Sequence, residues 1–202
     1  MMIRCMIMPN LGAENSEKFI DYVVETKIYD RLNILDSIGP MFINDYTYGI
    51  VTRMDSSLVP LRDLIGQSEV SLTASAKIRI MANILDAVAH LSERLDVEDQ
   101  DFEISPDTVM VNVAKEEASL EILGRMGFDS FNKFERNPEF VAPEYLATGV
   151  LKKELLNFHT YSIGALFYYM VFEKERFCGM EPADIALEVI LFRFLLFQNA
   201  GR

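Results

Sequence analysis

The sequence predicts an α+β protein in which a small strand-containing unit precedes a mainly helical part. Runs of β-branched and aromatic residues near the N-terminus are typical of strands, whereas apolar residues recur at helical spacing in the middle of the chain. Half of the 202 residues are hydrophobic and 25% are charged, which is the composition of a folded globular protein rather than a disordered one.

Charge and cysteine content exclude several classes of protein. The chain has 19 Lys and Arg residues against 31 Asp and Glu residues, a net charge of −12, and no basic cluster. Binding to nucleic acid needs clustered cations, so we expect no nucleic-acid partner. The two cysteines, Cys5 and Cys178, have neither metal-ligand spacing nor a paired framework, which favours a reducing cytoplasm and excludes a disulfide scaffold.

The apolar runs of the sequence are short, and we expect no transmembrane segment. The most apolar runs, residues 163–172 and 189–197, are shorter than the roughly 20 residues that a transmembrane helix needs. The N-terminal apolar run ends at Pro9 and Asn10, too early for a secretory signal. The apolar stretch from Leu191 to Phe197 is a candidate protein contact, for which we expect either a partner or a missing remainder of the chain.

In the N-terminal part, we expect strands from Ile3 to Met8 and from Tyr46 to Met54. Between them, apolar residues at helical spacing predict a helix over residues 19–28, capped by Asn15 or Ser16. Together these elements form a small α+β unit.

The middle of the chain starts at Leu58 with a short amphipathic turn and continues into a long helix, which Ser71 or Thr73 could cap. One apolar stripe along this helix predicts its buried face. The stripe consists of Ile78, Met81, Ile84, Leu85, Val88, Leu91 and Leu95. A hairpin follows, with strands over residues 109–113 and 119–123, and the chain is helical and apolar from His159 onward.

Three motifs, in order along the chain, resemble those of a protein kinase. The sequence F-V-A-P-E-Y-L from Phe140 resembles the APE motif that closes the activation segment. The sequence H-T-Y-S-I-G from His159 is similar to the D-x-x-S-x-G start of the central buried helix, and I-S-P-D-T-V-M-V from Ile104 resembles the L-K-P-E-N-I-L-L half of the catalytic loop. Within kinases, M-G-F-D from Met126 and N-P-E-F-V-A-P-E-Y from Asn137 look most like the Scy-like pseudokinases associated with clathrin-coated vesicles.

The resemblance covers nearly the whole chain and implies a truncated bilobal kinase-like fold. Residues 1–54 would form a partial N-lobe, with the third strand, helix C and the strands that follow it. Residues 55–202 would form a mainly helical C-lobe, truncated after the central helix and one further helix.

At the nucleotide-binding positions, the sequence departs from the kinase pattern. Phosphoryl transfer relies on a lysine, two metal ligands and a catalytic aspartate. The resemblance places Met6 at the lysine position and Glu25 at the helix C glutamate, with Arg4 as the only nearby cation and no glycine-rich loop. Without a lysine partner, Glu25 is better interpreted as a solvated helix acid.

The catalytic-loop and metal-binding positions are also replaced. Glu103 stands where the catalytic aspartate belongs, and Ser105 and Thr108 replace the lysine and asparagine. The metal-binding DFG position has three possible registers, beginning at Gly124, Arg125 or Gly127, none of which begins with Asp. His159 replaces the buried aspartate of the central helix.

Other polar and aromatic residues have simpler interpretations. Six acids beside the would-be phosphate site would repel a nucleotide, and their segment lacks the glycine and glutamate of a calcium-binding EF-hand loop. They are Glu93, Asp96, Glu98, Asp99, Asp101 and Glu103. His90 is expected on a half-exposed helix surface, and Glu103 as a loop carboxylate. Core packing is expected for the aromatic residues of the helical part that begins at His159. They are Tyr161, Phe167, Tyr168, Tyr169 and Phe172.

These observations together predict a pseudokinase, with no catalysis, cofactor or metal, that acts as a protein-binding scaffold. The subfamily resemblance implies an adaptor for coat proteins in vesicle trafficking, cytoplasmic and peripheral on vesicles. One alternative is a decoy or regulatory subunit of an active kinase. Another is a divergent phosphotransferase in which Arg4 and Asp129 replace the missing groups, and a third is a partial gene product.

Overall fold

The computed structural model confirms a mixed α+β architecture and describes eleven stretches of the chain. They are residues 2–9, 34–35, 37–44, 47–66, 71–94, 103–121, 137–143, 146, 158–177, 179–181 and 183–189.

The first sheet has three antiparallel strands in the order β1-β3-β2. They are β1 (Met2–Pro9), β2 (Ser37–Asn44) and β3 (Thr47–Met54). The register of β1 against β3 runs from Met2 opposite Met54 to Pro9 opposite Thr47. Both strands were predicted from their β-branched and apolar residues.

Strand β2 was not predicted, because its sequence contains residues that disfavour strands. Gly39 and Pro40 lie inside it, and its pairing with β3 shifts register between Ser37 and Gly39 and again between Phe42 and Asn44. It lies at one end of the described strand order, where a proline without a backbone donor is tolerated.

The second sheet contains β4 (Leu58–Pro60), β5 (Val109–Asn112) and β6 (Glu117–Leu120), again antiparallel and in that order. The predicted hairpin is therefore present, but its second strand begins two residues before the expected Ser119. A parallel bridge joins Ile34 to Leu120, and the Leu35 N–H donates to the Leu120 carbonyl at 3.1 Å.

The helices are α1 (Leu61–Gly66), α2 (Ala74–Arg94), α3 (Phe158–Phe172) and α4 (residues 183–189), with a short 3-10 helix at Pro138–Phe140. Of the two predicted caps for α2, Thr73 performs the role. Its Oγ1 accepts a hydrogen bond from the Ala76 N–H at 3.1 Å, which satisfies a donor that the first helical turn leaves free.

The main core lies between α2, the second sheet and α3. Helix α2 contributes Ile80, Ile84 and Leu91, all completely buried. From α3, Leu166 and Met170 enter the same cluster. Of the two histidines, His90 is half-buried, as predicted, and His159 is buried.

The predicted buried stripe of α2 is wrong at two positions. Ile78 is 65% exposed and Leu85 is 49% exposed, whereas Ile84 is fully buried. Consecutive helical residues are rotated by about 100°, so the core face that contains Ile84 turns Leu85 toward solvent. The apolar residues of α2 therefore form two faces rather than one.

Helix α3 also differs from the prediction that its aromatic residues are core. Tyr169 is 5% exposed, but Phe167 is 46% and Phe172 is 55% exposed. The helix is apolar on all sides, so its sequence has no polar face that would reveal which residues point outward.

Several predictions concern residues outside the described stretches. They include the helix over residues 19–28 with Glu25, all three DFG registers with Gly124 and Asp129, and the stretch from Leu191 to Phe197.

The assignment of two faces to α2 predicts that substitutions at neighbouring positions lower the free energy of unfolding by different amounts. Ile84→Ala should lower the free energy of unfolding by about 2 to 5 kcal/mol because it leaves a cavity in the core. Leu85→Ala is the matched control and should cost less than about 1 kcal/mol. Urea unfolding of both variants measures the difference, and equal costs would contradict the assignment.

Candidate functional site

The segment that resembles a catalytic loop forms a closed turn leading into β5. The Thr108 N–H donates to the Ser105 carbonyl at 3.1 Å. The Thr108 hydroxyl oxygen accepts from the Ser105 N–H at 3.0 Å and lies 3.0 Å from the Glu103 carbonyl and 3.1 Å from that of Ser105. Thr108 is buried and its hydroxyl is used to hold the turn.

Arg62, at the start of α1, binds this turn from outside. Its Nε donates to Asp107 Oδ1 at 2.6 Å and its Nη2 to Asp107 Oδ2 at 3.0 Å, a bidentate pair. Its Nη1 also donates to Glu175, which follows α3. In addition, the Arg62 backbone N–H donates to the Pro106 carbonyl at 3.1 Å, so both main chain and side chain fix α1 to the turn.

Asn137 completes the cluster from the residue before the 3-10 helix. Its Oδ1 accepts from Arg62 Nη2 at 3.0 Å. Its Nδ2 donates to Asp107 Oδ2 at 2.7 Å and to Glu103 Oε1 at 3.0 Å, with Ser105 Oγ at 3.5 Å. We call these five residues, Arg62, Glu103, Asp107, Asn137 and Glu175, the Arg62 cluster.

In the Arg62 cluster, the positively charged guanidinium of Arg62 is bound by the carboxylates of Asp107 and Glu175. Burial lowers the pKa of Arg62, but the hydrogen bond and charge of Asp107, followed by those of Glu175, outweigh it and hold that pKa above its usual range. Arg62 is therefore permanently charged and compensated by carboxylates on two sides.

Two further titratable groups lie beside the cluster. Burial raises the pKa of Glu139 above 4.5, and repulsion by Glu175 adds to this, although Arg62 and the backbone N–H groups of Arg176 and Phe177 oppose it. Burial likewise raises the pKa of Tyr169.

A cavity of about 450 Å³ opens next to Glu139 and Tyr169. Its lining is mainly apolar and aromatic, with Tyr161 and Tyr168 from α3, and Arg176 lies at one side. Phe140 packs edge-on against Tyr169 with ring centroids 6.1 Å apart, which fixes the wall between the cavity and the core. A cavity of this size can accept a small ligand or a side chain of another protein.

The structure brings together only some of the positions singled out in the sequence. Glu103, Ser105 and Thr108 are buried in the turn at the Arg62 cluster. Met6 lies in β1 with its backbone opposite Ile50, and His159 is in the first turn of α3. Gly124 is outside the described residues.

Sequence reasoning missed the residue that organises the cluster, Arg62, together with Asn137 and Glu175. Asp107, Asn137 and Glu175 lie 45, 75 and 113 residues from Arg62. No local pattern links residues at such separations. The one available signal was that Asp107 and Asn137 both lie within motifs quoted for the resemblance.

Within the described stretches, no group of three or more His, Cys, Asp or Glu side chains is placed to hold a metal ion, and no helix is both long and apolar enough to cross a membrane. Compared with models of protein families and with curated proteins, the sequence matches no family model and no curated protein.

The Arg62 cluster predicts that a lysine cannot replace its arginine. Arg62→Lys should lower the free energy of unfolding by about 1 to 3 kcal/mol, because an ammonium group cannot form the bidentate pair with Asp107 while also reaching Glu175 and Asn137. Arg79→Lys is the matched control. Arg79 is exposed and forms an ion pair with Glu116 at 3.0 Å, so its replacement should lower the free energy of unfolding by less than about 0.5 kcal/mol. Similar urea midpoints for the two variants would contradict this role of Arg62.

The raised pKa of Glu139 predicts a specific dependence of stability on pH. The folded protein binds the Glu139 proton more tightly than the unfolded chain, so the contribution of Glu139 to stability should be lost as pH rises from 4.5 through the folded-state pKa. Glu139→Gln removes this titration. The free energy of unfolding of the variant relative to wild type should therefore increase with pH across that window and then level off.

Urea titrations at a series of pH values measure this effect. Glu188→Gln, at an exposed position of α4, controls for the loss of one negative charge from the chain. A Glu139→Gln profile that stays parallel to that of the wild type would contradict the assigned pKa direction.

Proposed function

We propose that this chain is a catalytically inactive, kinase-like protein that works as a protein-binding scaffold or adaptor. Three ordered motifs that resemble kinase architecture stand beside replaced catalytic positions, among them Met6, Glu103 and His159. The order of the described elements supports the proposal: an antiparallel sheet, a long helix, a turn and hairpin, and then an apolar helix.

The observation that carries the proposal is the engagement of the catalytic-loop-like turn within the molecule. In an active kinase, the catalytic carboxylate orients the hydroxyl of a substrate. Here Glu103 is 8% exposed, and its Oε1 accepts a hydrogen bond from Asn137. Asp107 is similarly committed to Arg62. These hydrogen bonds stabilise the fold, which supports the proposal that Glu103 does not orient a substrate.

Surface chemistry supports a role in binding proteins. Phe167, Val171 and Phe172 on α3 are each at least 45% exposed. Exposed apolar residues grouped on one element are typical of protein contact sites. The cavity beside Tyr169 adds a pocket in which a partner side chain could be buried. The partners proposed are coat or trafficking proteins, with an active kinase as the alternative.

We expect the purified chain to transfer no phosphate from ATP in the presence of magnesium. The assay is incorporation of labelled phosphate into the chain and into generic protein substrates. Incorporation that Glu103→Gln abolishes, but that the exposed control Glu93→Gln leaves intact, would overturn the proposal in favour of a divergent phosphotransferase. Thermal unfolding with ATP in magnesium and in EDTA adds a binding readout, because any ligand that prefers the folded state raises the midpoint.

Co-purification separates the two scaffold roles. Recovery of coat proteins with the tagged chain supports the adaptor, whereas recovery of an active kinase supports the regulatory subunit. Val171→Glu should reduce recovery in either case. Val113→Glu is the matched control, since Val113 is 38% exposed and Val171 is 45% exposed.

A further inference from the structure

Helix α2 carries a second apolar face that points away from the core. We call it the outer stripe, and it consists of Ile78, Ala82, Leu85 and Ala89. All four residues are exposed, Ile78 by 65% and Leu85 by 49%. Their spacing of four, three and four places them on one side of the helix, which is the pattern of a surface that packs against another helix.

The outer stripe is complementary to a second copy of itself that runs in the opposite direction. Large and small residues alternate along it, and the sequence positions are symmetric about a point between Asn83 and Ile84. In an antiparallel pair centred there, Ile78 of one copy lies opposite Ala89 of the other, and Leu85 lies opposite Ala82. Each large side chain therefore meets a small one, as close helix packing requires.

We propose that α2 pairs with α2 of a second copy of this chain, antiparallel, about a two-fold axis at the centre of the outer stripe. Such an interface is isologous, with the same surface used by both copies. The proposal rests on the described face of α2 and does not depend on the kinase-like interpretation.

The charges beside the outer stripe support a second copy independently of its apolar residues. Arg79 and Asp86 are both exposed and lie on the same flank of α2. A two-fold antiparallel pair brings each flank against the same flank of the other copy. Arg79 then lies within about one helical turn of Asp86 of the second copy, and this pair occurs twice. Arg79 already binds Glu116, but both side chains are partly exposed, so this ion pair can exchange at little cost.

A parallel pair would not bring Arg79 close to Asp86 of the second copy, because it places the flank that carries Arg79 against the opposite flank of the other helix. A helix from a different protein could also cover the outer stripe. With such a partner, however, the stripe would not need to be complementary to an antiparallel copy of itself. The stripe spans only about 17 Å of helix, so we expect the pair to bury much less than the roughly 800 Å² per partner of stable complexes. The association should therefore be weak, with a Kd on the order of 100 µM.

Sedimentation velocity of the full chain, from roughly 5 to 500 µM, tests the proposal. We expect a concentration-dependent monomer–dimer equilibrium that Leu85→Glu weakens at least about tenfold, because it places a charge opposite Ala82. Leu187→Glu is the matched control, since Leu187 is 55% exposed on α4, and it should leave the Kd unchanged. Ala82→Glu tests the same contact should Leu85→Glu fail to fold.

A charge exchange tests both the second copy and the antiparallel direction. Arg79→Glu and Asp86→Arg should each weaken dimerisation, because each creates repulsion between like charges across the two-fold axis. The double variant should restore the wild-type Kd to within about twofold, because the opposite pairs re-form with exchanged signs. A wild type that stays monomeric over the whole range, a dimer that Leu85→Glu leaves intact, or a double variant without recovery would each overturn the proposal.

Discussion

The guanidinium of Arg62 is the group on which the arrangement of the C-terminal part depends. It joins the start of α1 to the turn before β5, to the residue before the 3-10 helix and to the end of α3. Removing a half-buried charge from water is costly, and this cost is offset only where several well-oriented partners are present. The bidentate bond to Asp107, with Glu175 and Asn137, provides them, so the same interaction fixes four segments in one geometry.

This constraint has a consequence for chemistry. In the proposed function, the side chains that hold these segments together do not bind and release a substrate. Glu103 and Asp107 lie in the segment that resembles a catalytic loop, yet both are hydrogen-bonded to Asn137. These hydrogen bonds support the proposed absence of catalysis, and the proposed function then relies on the molecular surface.

Helix α2 combines two roles because it has two apolar faces. The face with Ile84 and Leu91 joins the core, and the outer stripe is exposed. If two copies pair through this stripe, each pair presents two α3 surfaces, and a scaffold with two such surfaces binds a clustered partner more tightly than either surface alone. The exposed apolar residues of α2 and those of α3 would thus serve as separate contact surfaces, the first for the second copy and the second for a partner.

Local patterns in the sequence were sufficient for the α+β class, for β1, β3, α2, α3 and the hairpin, because period depends on residues close together in the chain. They also limited the cap of α2 to Ser71 or Thr73, and the structure selects Thr73. They did not reveal β2, whose Gly39 and Pro40 disfavour a strand, and they did not separate buried Ile84 from exposed Leu85. Such reasoning did not reveal that Arg62 organises the cluster. The three residues that bind its side chain are 45 to 113 positions from it, and hydrogen bonds at that separation exist only once the chain has folded and brought the residues together.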